Sequence, residues 1–361
     1  MKKNVIFFLF FMFINPALAA NDDALLSLFE GTAAAEKETK EEIKNKNEED
    51  KGFFSFFNFG QAKKSIADAT QNKLSTLEQT IKLADEGDVS AQLLLGYSYL
   101  YGTNNAPVDY DKSFNYYAKA ALQNDPVGLN NLGSLYYSGI GTARNTAKAA
   151  ILFEKAAELG NPEAAVNLAF ILISGNGRPK NPQTAMKFFQ QAAEAKNPTA
   201  QFMVGYAHYR GKLLTQDYFK AVPLIKAAAD AGFDEAQIVM SQIYIKGFGV
   251  PQNYANAVKY LQKASFQGDG KSMMSLGEIV AEGQKYEKDT LTAHIWFNLA
   301  AVRGIRDAAE KRDAIEKKLK MDQVLLAQSR AEKFSPKISE LTDYIRKTFG
   351  ENIRNYVDDA F

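Results

Sequence analysis

The stretch NLGSLYYSGIGTARNTAKAAILFEKAAELG, Asn131–Gly160, decides the fold, because close variants of it recur along the chain. Its apolar residues lie three and four apart on either side of a glycine-rich break, the spacing of two short helices joined by a turn. Its final alanine pair fixes the period. Ala120, Ala156, Ala192, Ala228, Ala264 and Ala300 stand 36 residues apart. A small column precedes them by seven at Ser113, Ala149, Ala185, Ala221, Ala257 and Ala293, and a large one lies between at Tyr117, Phe153, Phe189, Ile225, Leu261 and Phe297.

A second set of columns belongs to the preceding helix. Leu95, Leu132, Leu168, Val204, Met240 and Leu276 are apolar, and their neighbours Gly96, Gly133, Ala169, Gly205, Ser241 and Gly277 are small. Six residues further on, Gly102, Gly139, Gly175, Gly211, Gly247 and Gly283 form an unbroken glycine column. Glycine enters the left-handed conformation freely, so each of these should end a helix. The first glycine step is 37 and the others are 36, which puts one extra residue between Gly102 and Ser113, in a connection. Small residues in register with large ones predict close helix pairs with the large side chain filling the space beside the small one.

These columns resemble the Sel1-like repeat family, relatives of tetratricopeptide repeats. Asn131–Gly160 and KGFGVPQNYANAVKYLQKASFQG, Lys246–Gly268, match the family pattern closely, and HIWFNLAAVRG is similar to family endings. The resemblance implies an all-α, right-handed α-solenoid of about six helix-turn-helix repeats over residues 87–304. The phase extends outward, so a capping helix is expected in 61–86 and capping helices in 305–334. Repeats four and five drift most. Lys212-Leu213 follows Gly211, Ser241 replaces glycine and Pro223 falls within a helix, so a local distortion is expected there.

Outside the array, residues 1–19 are a separate object. Lys2 and Lys3 precede the apolar run Val5–Ile14, and Ala17-Leu18-Ala19 ends the segment. This is the pattern of a cleaved signal peptide, and a run of ten apolar residues is too short for a span, which needs ~20. The expected localisation is therefore export to the periplasm or the outer membrane, surface exposure included. The 361 residues carry a net charge of +1, which leaves no nucleic-acid footprint. The chain has no cysteine, which excludes disulfides, a cysteine-linked lipid and thiolate metal sites.

Residues 20–60 form a charged segment that ends in GFFSFFNFG, with Phe53, Phe54, Phe56, Phe57 and Phe59. Its approach, Glu36–Lys51, holds seven acids and five bases and reads as a solvated tether or exposed helix. The phenylalanines either tuck against the front cap or contact a membrane interface or a partner. At the other end, residues 335–361 carry the apolar stripe Ile338, Leu341, Ile345 and Phe349. That stripe folds back on the array or pairs with another chain, and a contact with another protein is favoured.

Reactive groups do not converge. His208 and His294 lie in different repeats and helix classes with no metal or triad spacing, so no catalytic residue, metal or cofactor is expected. Protein partners are expected instead, in the groove that such solenoids present. Carried over from the family, the residue after each small position faces that groove, giving Tyr97, Ser134, Phe170, Tyr206, Gln242 and Glu278. The residue before each glycine stop gives Tyr101, Ser138, Ser174, Arg210, Lys246 and Glu282, with Asn131 and Asn167 beside them. Both columns vary where the packing columns do not; ordinary half-exposed helix positions would vary too. Exported bacterial members of the family imply an envelope scaffold with envelope or outer-membrane partners, linked to host interaction or virulence. A cell-wall-related enzyme, or a regulator of one, is the alternative.

Overall fold

The structure, a computed structural model, describes residues 77–283, 286–350 and 352–359. The signal-like segment, the charged segment and Phe53, Phe54, Phe56, Phe57 and Phe59 lie outside the described residues, as does most of the expected front cap. The described residues form seventeen helices and no strand.

The front cap is α1 (Leu77–Asp85). Six helix pairs follow: α2 (Val89–Tyr101) with α3 (Tyr110–Leu122), α4 (Pro126–Ser138) with α5 (Thr146–Glu158), and α6 (Pro162–Ser174) with α7 (Pro182–Glu194). The array continues with α8 (Pro198–Arg210) and α9 (Tyr218–Asp230), α10 (Asp234–Lys246) and α11 (Tyr254–Phe266), and α12 (Gly270–Glu282) and α13 (Thr290–Val302). All twelve helices are 13 residues long. Behind them come α14 (Ala308–Glu316), α15 (Met321–Glu332), α16 (Glu340–Phe349) and α17 (Asn355–Asp358).

The uniform length has a local cause at each end. Every first helix stops at a glycine of the predicted column in the left-handed region; Gly175, at φ 75°, returns its N–H to the Ile171 carbonyl. At the other end, an Asp or Asn side chain accepts the N–H three residues on in eleven of the twelve, as Asn161 does from Ala164 at 2.8 Å. The exception is α10, preceded by Phe233, which has no side chain that can cap.

Packing follows the small and large columns. A Cβ placed on Gly133 would lie 2.8 Å from the Phe153 ring, and one on Gly277 would lie 2.6 Å from the Phe297 ring. The small position therefore seats the large ring of the partner helix in the same repeat. Phe153, Phe189 and Ile225 are buried, and Ala149, Ala156, Ala185, Ala192, Ala221 and Ala228 around them are fully so. At the ends, Leu77, Ile81 and Ala84 cover Leu95 and Tyr99, while Ala308 and Ala327 cover Trp296 and Leu299.

The expected distortion in repeat four is absent from the helix. α9 runs its full length through Pro223. The proline is exposed, and the carbonyl it cannot bond belongs to Phe219, which is also exposed, so water can take that bond. The departure appears instead in the turn, where Leu213 adopts φ 66° at a position held elsewhere by glycines such as Gly177 and Gly249.

Substituting Gly133 by alanine should cost about 1–3 kcal/mol through overpacking against Phe153. The same change at Gly160, whose Cβ would meet nothing within 4 Å, should act only through its φ of 87°. Urea denaturation of the two variants checks this; equal losses at both sites would remove the close-packing account.

Candidate partner-binding groove

The tail after α15 turns back along the first-helix face. Lys337 N–H bonds to the Phe266 carbonyl, and Ser339 N–H bonds to Gln267. From there α16 lies over α10 and α6, and α17 lies over α8. Leu341, Ile345, Ile353 and Val357 join the main hydrophobic core, at 5% exposure or less. Of the two dispositions open to the stripe, the tail folds back on its own array, in place of the favoured contact with another chain. Ile338 does not share it and is 48% exposed, because α16 begins only at Glu340 and Ile338 sits in the extended approach.

The seat is built around the break in the capping column. α10 starts at Asp234 without its own cap, and Thr342 of the tail supplies one: its Oγ1 accepts the Asp234 N–H at 3.0 Å. Thr342 and Ser339 both donate to the Gly232 carbonyl, at 3.1 and 2.6 Å. Arg346 pairs with the buried Asp234 carboxylate, and Arg354 stands 3.4 Å from Glu235. Further along, Phe349 stacks on Phe170 with ring centroids 3.8 Å apart, and Tyr356 meets the same ring edge-on at 5.3 Å. The chain then turns at Gly350, and Asp358 reaches Arg210 at 3.0 Å and the Tyr206 hydroxyl at 3.1 Å. Lys212 donates to the Asp358 carbonyl.

Three of the residues read from the sequence as groove-lining therefore meet in one place: Phe170, Tyr206 and Arg210 all touch the tail. Asn167 bonds to Asn130 at 3.0 Å and links two repeats, with Asn131 beside Asn130. Tyr97 and Tyr101 pair with each other at 4.8 Å in the first repeat. Lys246 and Gln242 are exposed on α10. Sequence reasoning missed Asp234, Glu235, Lys212 and the tail residues Thr342, Arg346 and Asp358. One signal was available: the cap column reads Asp88, Asp125, Asn161, Asn197, Phe233, Asp269.

The electrostatics of the seat are costly. Burial pushes the Glu235 carboxyl up to about 7, with Arg354 opposing it and Asp234 adding to it. Burial also raises Asp234 above the usual carboxylate range despite Arg346. Glu163 Oε2 has no hydrogen-bond partner beneath the tail, and Arg346 Nε donates to nothing. An orphaned buried group of this kind costs ~1–3 kcal/mol. A cavity of about 30 Å³ remains among Ser134, Asn167, Phe170 and Phe349.

The histidines are elsewhere. His294 is fully buried and bonds to Glu316 at 3.1 Å, and His208 Nδ1 meets the Thr215 carbonyl at 2.9 Å. Among the described residues no group of three acids or histidines could hold a metal ion, and no helix is long and apolar enough to cross a membrane.

A family model described as Sel1 repeat matches residues 89–125, 126–161, 162–197, 198–233, 234–269 and 270–304. No curated protein matches the chain. Among solved structures, a Sel1 repeat protein from Oxalobacter formigenes is 26% identical with a TM-score of 0.53, over 63% of this chain and 99% of that one. A protective antigen of uropathogenic Escherichia coli strains displaying an SLR fold is 25% identical with a TM-score of 0.50, over 79% of this chain. The match spans 65% of the antigen, under two thirds of its length.

Two outcomes are expected for the seat. Thr342→Val should cost about 0.5–2 kcal/mol in urea denaturation by removing the α10 cap, and Thr342→Ser should cost less. For Glu235, the folded chain holds a proton that the unfolded chain loses from pH 4.5 upward, so stability should fall as pH rises from there to about 7. Glu235→Gln should flatten that slope and raise Tm at pH 8 by about 2–4 °C, with little change at pH 4. A slope that persists in the variant would assign it to other groups.

Proposed function

The chain belongs to the Sel1 repeat family and is a protein-interaction scaffold; from that premise we propose that its partner binds in the first-helix groove and that it works, without catalysis, in the bacterial envelope. The observation that carries the site is the seat itself. Phe170, Tyr206, Arg210 and Asp234 already hold an amphipathic helical segment by ring stacking, charge pairing and a helix cap. Helix-in-groove recognition uses these same elements.

Export to the periplasm or outer membrane is supported by the signal-like pattern of residues 1–19. A peripheral contact through Phe53, Phe54, Phe56, Phe57 and Phe59 is part of the proposal, as five aromatics on a charged approach suit an interface. Envelope proteins, outer-membrane ones included, are the proposed partners. A role in host interaction or virulence draws support from the E. coli relative, which is described as a protective antigen.

Photo-crosslinking residues placed at the exposed groove positions Gln242 and Lys246, and at the exposed second-helix positions Lys155 and Lys187, test the site in intact cells. The same partner should be captured from the first two only. Equal capture from Lys155 and Lys187 would move the binding surface off the groove. Fractionation of the same cells reads the location, and a cytoplasmic pool would remove the envelope assignment.

A further inference from the structure

Resting on the groove reading, we propose that the tail, residues 335–359, is an internal stand-in for the partner. The groove's external ligand is an amphipathic helical segment of another protein, and it binds by displacing the tail.

The chemistry of that segment is written in the seat. It presents an aromatic ring to Phe170, where Phe349 now stacks. It presents an oxygen acceptor to the Asp234 N–H, where Thr342 now caps α10. Basic side chains answer the two buried acids, Asp234 and Glu235. A carboxylate answers Tyr206, Arg210 and Lys212, where Asp358 now lies. Along the tail the order of these groups is hydroxyl, base, aromatic, base, acid, and a segment without that order leaves seat groups unanswered.

The tail fills this seat imperfectly, which is what makes it displaceable. Glu235 meets only Arg354, Glu163 Oε2 and Arg346 Nε lack a hydrogen bond, and a cavity remains beside Phe349. A segment that satisfies these groups gains what the tail leaves unmade. The array carries most of its own caps: eleven of its twelve helices have an Asp or Asn cap, and its repeats pack through buried alanines. Apparent affinity for the partner is then lowered by the fraction of time the tail is seated.

The test uses the full chain and a labelled synthetic peptide with the sequence of residues 335–359. Arg346→Glu with Phe349→Ala unseats the chain's own tail. The peptide should bind this variant at least about tenfold more tightly than the wild-type chain, as a tail seated nine-tenths of the time requires. Adding Phe170→Ala should abolish binding, and an Asp358→Ala peptide should bind more weakly. Hydrogen exchange on the wild-type chain gives a second reading that needs no variant. Amides of 340–349 should open well before those of the repeat helices. Exchange of the tail only with global unfolding would overturn the proposal, since the tail would then never open apart from the array. Tail exchange into stable dimers, seen by light scattering, would also overturn it, making a second copy the occupant. Peptide that fails on a folded, unseated variant while groove crosslinks persist removes this inference and leaves the groove reading. Bound peptide with no groove crosslinks removes both.

Discussion

The fit of one large side chain against one small residue, seen at the glycines of four of the six helix pairs, is the constraint on which the rest depends. Gly133 admits the Phe153 ring, and Gly277 admits that of Phe297. The fit fixes the axial register of the two helices, because a slip of one residue would drive the ring into a side chain. Register in turn fixes which face of each first helix is left over after packing. That leftover face lines the groove. Identical helix lengths keep successive faces aligned, and the single inserted residue in the first repeat is absorbed in a turn, where Asn104 and Asn105 take φ of 52° and 61°. Asn tolerates that conformation better than most residues, so the insertion leaves the helices unshifted.

Much of the fold was legible because it is local and repeated six times. A column of glycine or alanine at fixed spacing records one packing event many times over, and chance does not. The stop glycines, the small positions and the buried ring column were all readable in this way. The tail's seat was legible only in part. The stripe of Leu341, Ile345 and Phe349 marks an apolar face, but a stripe does not say which surface it meets. That pairing occurs once, across more than a hundred residues, and leaves no period to find. Its trace in the sequence is negative: Phe233 stands where a capping Asp or Asn belongs. A cap missing from a buried helix start has to be supplied by something else, and Thr342 supplies it. The expectation for repeat four failed for a related reason. Pro223 was judged by type alone, whereas its exposed position decides the cost.

The division of labour between helices explains why groove and core differ in character. Second helices bury alanines and the large-column residue in each repeat. First helices carry the residues that vary, and between repeats two and five those residues face the tail. Burying Asp234 and Glu235 there costs desolvation that the nearby arginines only partly offset. A surface selected for stability alone is better served by apolar residues of similar volume. For a segment that displaces the tail, charge in that position would select it and set its orientation.

The tail also changes what kind of object the solenoid is. Contacts in a repeat array run between neighbours, so stability and motion spread along it one interface at a time. The tail makes hydrogen bonds that join residues more than a hundred positions apart, linking Thr342 to Asp234, Arg346 to Asp234, and Asp358 to Tyr206 and Arg210. Through Phe349 and Phe170 the strap extends from the fifth repeat to the third. While it is seated, the first helices it bridges hold fixed distances from one another. When it leaves, those helices are joined only through their neighbours and the groove can adjust its curvature to what enters. If the tail is displaced as proposed, occupancy of the groove and stiffness of the array would be one equilibrium, set at the place where the repeat pattern itself is broken.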